Sequence, residues 1–193
     1  MTPPSVGIRI ADATDVPGIA LLAAQTFTLA CPPTVTPDDV EEFVTANLSA
    51  SHIAAWIADP EVTVWVAATD SEETPIAYVK TRLAAVEDEE IAPQLPAGPI
   101  FEINKFYVAA NAHHTGVAAR LMSAVLTAAA ARGARTAWLG VNASNERAMR
   151  FYTKMGFARC GERTFVVGSQ RHHDFLMLKQ LPPDARAIKP AGE

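Results

Sequence analysis

Cysteine is scarce in this 193-residue chain: Cys31 and Cys160 lie far apart and make neither a Cys-x-x-Cys pair nor a disulfide framework. Two scattered thiols fit a reducing compartment and are expected to be small buried hydrophobes. There is no basic excess. Sixteen Lys and Arg stand against 21 Asp and Glu, a formal charge of −5, which argues against a nucleic-acid partner. No apolar run reaches the ~18 residues of a membrane span. The segment Met1-Thr2-Pro3-Pro4-Ser5 carries no charged n-region followed by an apolar stretch, so no secretory signal is expected. The expectation is a soluble, cytoplasmic protein without membrane or nucleic-acid partners. Charged residues are only 19% and hydrophobic residues 49%, which excludes disorder as the main state. At this length one domain, 1–182, with a polar tail at 183–193, should bury roughly 70% of its unfolded surface.

Several chemistries are also missing. The pairs His113-His114 and His172-His173 are adjacent, not spaced i,i+4 on a helix face, so no metal is expected. Gly-x-Ser-x-Gly is absent, and Cys160 has no neighbour in sequence that would activate it. Trp56, Trp65 and Trp138 lie in apolar periodic segments and are expected in the core.

What is present is a rhythm of strands and helices. Val6 to Ala11 alternates as a strand, and Asp12 or Thr14 can cap the helix that carries Val16, Ile19, Ala23 and Phe27. Thr36-Pro37-Asp38-Asp39 opens another helix, with a cap, a first-position proline and acids at the positive end of the dipole. A short helix covers about His52 to Ala58. Val62–Thr69 and Ile76–Leu83 read as an antiparallel hairpin across a polar turn at 70–75. The segment 85–99, with Glu87-Asp88-Glu89-Glu90 and three prolines, reads as a mobile loop. Ile100–Ala109 is then a strand, Gly116–Arg132 a helix stopped by Gly133, and Thr136–Val141 a strand. Asn145–Met155 is a helix ended by Gly156, and Phe157–Val167 and His173–Leu181 are closing strands. The class is α/β, with a mixed, mostly antiparallel sheet of about 6–7 strands flanked by helices.

The segment from Val108 to Ala118 carries the most chemistry. A strand runs through Ala109-Ala110-Asn111-Ala112-His113-His114-Thr115 into a helix that opens with Gly116 and Ala118. Small residues there leave backbone N–H groups uncovered at the positive end of a helix, which suits an anion cradle; an ordinary helix start is the alternative. It is neither a Walker A loop nor Gly-x-Gly-x-x-Gly.

The spacing resembles motif A of the GNAT superfamily of acyl-CoA-dependent N-acetyltransferases, Arg/Gln-x-x-Gly-x-Gly/Ala following a strand valine. His113 stands in the Arg/Gln position, Gly116 in that of the first glycine and Ala118 in that of the second. Downstream, Asn145-x-x-Ala148-x-x-x-Tyr152-x-x-x-Gly156-Phe157 matches the family's second helix motif. The resemblance implies a splayed central strand pair that binds CoA, with acetyl-CoA as cosubstrate and no metal. It implies cofactor contacts from Phe106, Tyr107, Val108, His113, His114, Thr115, Gly116, Val117, Ala118, Ala119 and Asn145. Because His113 replaces Arg or Gln, pyrophosphate binding should rest mainly on backbone N–H groups, with Arg120 or His114 as helpers. Phe106-Tyr107-Val108, Trp138-Leu139-Gly140-Val141, Phe165-x-x-Gly168 and Asp174-Phe175-x-Met177 further resemble the PaiA-type polyamine acetyltransferases, which acetylate spermidine and related amines.

Acetyl transfer to an amine needs a free lone pair. A primary amine of pKa ≈ 10.4 is only about one part in 2,500 neutral at pH 7. Glu102, six residues before Val108, stands where several family members hold the glutamate that deprotonates the acceptor; a surface carboxylate is the bland alternative. Tyr152 stands where the family holds the acid for the departing thiolate; its alternative is a core aromatic. Asn145 suits a helix cap as well as a cofactor contact, and a strand N–H from Phe106–Val108 would polarise the thioester carbonyl. With no nucleophile for a covalent intermediate, direct attack in a ternary complex is expected. The acceptor is expected to be a small amine or polyamine, drawn by the acids at 87–90. A protein N-terminus or lysine is the enzymatic alternative, and an acyl-CoA-binding sensor the non-enzymatic one. Pairing of family members through their late strands makes a homodimer an expectation.

Overall fold

The computed structural model describes residues 6–30, 35–69, 74–167 and 170–182. Cys31, the turn residues Asp70–Glu73, Gly168 and the 183–193 tail lie outside them.

β1 (Val6–Ile10) leads through a 3₁₀ turn (Ala13–Asp15) into α1 (Val16–Ala30). Sequence chemistry sets this junction. Asp12 accepts from Thr14 N at 2.8 Å while Asp15 accepts from Asp12 N at 2.9 Å, a reciprocal capping box. The Arg9 guanidinium holds the buried Asp15 carboxylate in two bonds of 2.6 and 2.8 Å and keeps its pKa below the ordinary value. Asp15→Ala is expected to cost about 2 kcal/mol in urea unfolding at pH 7, because it orphans the Asp12 N–H and loosens Arg9. Since the folded pKa is depressed, this contribution is present above the unfolded value of about 3.9 and is lost as pH falls through the lower folded value. The gap between variant and parent should therefore close in acid, and a gap independent of pH would refute the assignment.

α2 (Pro37–Asn47) opens as its sequence requires: Thr36 Oγ1 accepts from Asp39 N at 3.2 Å, with Pro37 in the first turn. α3 (Ala50–Ala58) follows, then β2 (Val62–Thr69) and β3 (Ala77–Ala84), which pair antiparallel as the hairpin pattern predicts. β4 (Ile100–Val108), α4 (Val117–Ala131), β5 (Thr136–Asn142), α5 (Glu146–Lys154), β6 (Ala158–Val167) and β7 (Gln170–Gln180) complete the chain.

The seven strands form one sheet in the order β1-β2-β3-β4-β5-β7-β6, antiparallel throughout except for β4 and β5. Two features of β4 position the site. Lys80 opposes Lys105 but Thr81 opposes Ile103, so Asn104 is an extra residue in a β-bulge. The bulge shifts the alternation, placing Ile103 and Phe106 against the core under α4 and α5. Tyr107 instead packs with Tyr78 and the α1–α3 core, and Lys105 shares that face opposite Lys80, whose ammonium lies over the Trp56 ring. Second, β4 and β5 meet only at Phe101–Ala137 and Glu102–Trp138, and beyond that point they part.

Two expectations need correction. The 85–99 segment is pinned: Ile91 and Leu95 are buried with Ile100, Trp138 and Leu176. Gln94 spans the Glu162 N–H and carbonyl at 2.9 and 2.7 Å, and Glu90 accepts from Thr164 N at 2.9 Å. Acid-and-proline composition signals a loop, but its apolar residues find a core. Cys160 is exposed, not buried, because it lies on β6 at the sheet's outer edge. Trp138 is fully buried, whereas Trp56 and Trp65 are only partly so.

Candidate active site

Where β4 and β5 part, a cavity of about 660 Å³ opens, walled by 103–108 on one side and 140–142 on the other. β4 pairs with β3 through Phe106–Val79, Tyr107–Tyr78 and Val108–Ala77, so its polar groups on the β5 side face the gap without a ladder partner.

The loop beyond Val108 forms one end. After a 3₁₀ turn (Ala110–Ala112) the chain passes through His114 (φ 69°) and Gly116 (φ 81°), both left-handed, before α4 begins. Gly116 is the N-cap and offers no side chain. The N–H of Val117 leans on Thr115 Oγ1 at 3.4 Å, and no cap bond serves the rest of the first turn. A Cβ added at Gly116 would meet nothing within 4 Å, so the space beside it is open. This is an uncapped helix start aimed at a cavity, where an anion is favoured.

His113 Nε2 lies 3.2 Å from the Val108 carbonyl, and the Arg147 guanidinium lies against the ring, 3.0 Å from Nδ1 and 3.2 Å from Nε2. Arg147 was not legible as a loop residue, since it follows 34 positions later on α5. The one signal was the histidine at position 113, where the family pattern has Arg or Gln. Arg120, a helper the resemblance suggested, does not line the cavity, and its guanidinium donates to the Val6 carbonyl at 2.8 Å.

Of the expected cofactor contacts, Phe106, Tyr107, Val108, His113, His114, Gly116, Ala118 and Asn145 line the cavity; Thr115, Val117 and Ala119 do not. Val117 is buried in the core, and Thr115 donates to the Ala112 carbonyl at 2.7 Å. Asn145 caps α5, accepting from Ala148 N at 3.0 Å. Tyr152 lines the cavity at its buried wall, edge-on to Phe106, Phe151 and Phe157. Burial pushes its hydroxyl above the ordinary value, so it stays protonated.

Glu102 is not among the lining residues. Its carboxylate accepts from the Asn104 amide at 2.8 Å, one step below the cavity. None of the acids at 87–90 lines the cavity either. The residues that do include Lys105, Arg163, His172 and Asp174, none of which the sequence reading placed in the site. Arg163 crosses Gly140, where an added Cβ would sit 2.5 Å from Nη2, and donates to Asp174 Oδ2 from Nε and Nη2, both at 3.3 Å. Asp174 is 4% exposed, and burial raises its pKa against the pull of Arg163. Lys105 is pushed down to about 8 by burial, with Lys80 and Arg163 repelling its charge. Among the described residues no three His, Cys, Asp or Glu side chains gather as a metal would need, and no helix is long and apolar enough to cross a membrane.

A mixed sheet opened between one parallel strand pair, with an uncapped helix start facing the gap, is an acyltransferase architecture. Residues 25–157 match the acetyltransferase (GNAT) family, and the chain belongs to that family. An uncharacterized N-acetyltransferase of Mycobacterium tuberculosis is 39% identical over 168 residues, covering 87% of this chain and 99% of that protein. Another from Lactobacillus delbrueckii subsp. lactis is 26% identical over 177 residues, covering 91% and 98%. The fold is shared with PaiA N-acetyltransferase from Thermoplasma acidophilum, solved with coenzyme A (TM-score 0.70, 16% identity, 91% of this chain and 99% of that one). It is shared equally with Arabidopsis thaliana NAA60, solved with acetyl-CoA (TM-score 0.69, 17% identity, 92% and 99%).

Proposed function

We propose that this GNAT acetyltransferase moves acetyl from acetyl-CoA to the primary amine of a small molecule by direct attack within a ternary complex. The observation that carries this reading is the unpaired stretch of β4 facing β5, with the uncapped start of α4 at one end and Tyr152 in the wall. In it, the pyrophosphate lies on the N–H groups at Gly116–Ala118, with Arg147 supplying the cation that position 113 lacks. A strand N–H from 106–108 steadies the thioester carbonyl as charge develops on its oxygen. The amine nitrogen attacks the carbonyl carbon, the C–S bond breaks, and Tyr152 gives its proton to the leaving sulfur. The proton lost by the amine passes to a carboxylate.

Two carboxylates compete for that role. Glu102, assigned by resemblance, would act through an intervening water, while Asp174 is in the wall. Glu102→Gln is expected to reduce turnover most at low pH; equal rates from about pH 6 to 9 would leave Asp174 as the base. Arg147→Ala is expected to weaken coenzyme A binding about tenfold in calorimetry and to flatten its salt dependence. An unchanged dissociation constant would remove Arg147 from the phosphate site.

The acceptor that the PaiA-type resemblance implies is a polyamine, and peptide amines are the alternative. Thiol release from acetyl-CoA, measured with spermidine, free amino acids, amino-acid amides and lysine peptides, tests the reading. Release that depends on an added amine supports it. Binding of coenzyme A with no release for any amine would make the chain a sensor.

A further inference from the structure

The chain is acidic as a whole, yet a partly buried lysine lines the cavity. Lys105 projects from the face of β4 that packs toward α1–α3, away from α4 and the phosphate loop, so it does not serve the pyrophosphate. Its charge is felt by Lys80 on β3 and Arg163 on β6 and offset by Glu102 on its own strand. Arg163 is matched by Asp174. Glu102 holds the Asn104 amide outside the cavity lining. Lys105 has no hydrogen bond or ion pair among the described residues, and it lines the cavity. A second observation lies in the same wall: Asp174 Oδ1 and His172 Nε2 are buried and make no hydrogen bond. Buried polar atoms without partners are rare in a finished site and mark a place where a ligand, or a side chain shifted by one, completes the bonding.

We propose that the acceptor is a small zwitterion of the amino-acid type, an amine with a carboxylate beside it, and that Lys105 receives the carboxylate. This rests on the acetyl-transfer reading above. An anion there lowers the cost of holding Lys105 desolvated beside Lys80 and Arg163, so binding and charge relief act together. A polyamine meets the reverse situation, since a further ammonium brought beside Lys105 is repelled by it and leaves it unpaired.

The test uses the full chain and matched acceptors: alanine against alaninamide and phenylalanine against phenylalaninamide, with spermidine as the polycation. The amides have the larger neutral-amine fraction, so a preference for the acids cannot come from nucleophilicity. The expected result is a kcat/KM about tenfold or more in favour of each amino acid over its amide. Lys105→Met should bring that ratio to one or below, and Lys105→Arg should restore it. Preference for the amides, which stand in for peptide N-termini, or for spermidine would overturn the proposal. So would a preference for the acids that survives Lys105→Met in a protein with an unchanged melting profile. Calorimetry with coenzyme A separates the two levels of failure: transfer to other amines sinks this inference alone, whereas binding without any transfer sinks the transferase reading with it.

Discussion

Tyr152→Phe is expected to lower kcat for acetyl transfer about a hundredfold, the lower end of what a positioned acid contributes. The ring stays among Phe106, Phe151 and Phe157, at centroid distances of 6.4, 5.4 and 6.1 Å, so packing is kept. The hydroxyl makes no hydrogen bond among the described residues, so its removal orphans no partner. Melting temperature should hardly move. Because burial keeps the hydroxyl protonated well past neutrality, the wild-type rate should show no loss of this acid at moderately alkaline pH. A variant with undiminished kcat would make Tyr152 a core aromatic and nothing more.

Gly116→Val is expected to raise the dissociation constant for coenzyme A about a hundredfold, or ~2.7 kcal/mol, roughly one or two hydrogen bonds to a charged group. The side chain would fill the open space beside the first turn of α4, between those N–H groups and any anion. It would also strain the backbone, since φ is 81° there, at a cost of about 1–2 kcal/mol in stability. Gly133 supplies the control. It lies just beyond α4 with φ 86° and nothing within 4 Å of an added Cβ, so Gly133→Val carries the same strain at the end remote from the cavity. Both variants should lose similar stability, and only Gly116→Val should lose affinity. Equal affinities would remove the loop from the binding site.

Local chemistry was legible where it acts over a few residues. The Thr36–Asp39 cap, the Asn145 cap, the Gly133 stop and the β2–β3 hairpin follow from neighbours in the chain, and each stands where its spacing predicts. The uncapped start of α4 was legible for the same reason, since a glycine at a helix start supplies no capping side chain. The place of the acidic run was not legible. Glu87 to Glu90 looked like a lure for a cationic acceptor, yet the chain carries the run to β6, where Glu90 bonds Thr164 N. Cys160 misled as well, because burial is decided by which strand ends up at the edge.

The sequence by itself determined the order of elements and the uncapped start of α4, because hydrophobic period, caps and glycine positions are properties of consecutive residues. Only the tertiary structure decided which charges meet. Arg147 reaches His113 across 34 positions, Arg163 reaches Asp174 over Gly140, and the bulge at Asn104 turns Lys105 onto the face opposite α4. A one-residue shift in a strand reverses every side chain beyond it, and no local pattern records that shift. The net charge of −5 is a sum over the chain; the placing of Lys105 in the cavity wall is a result of folding.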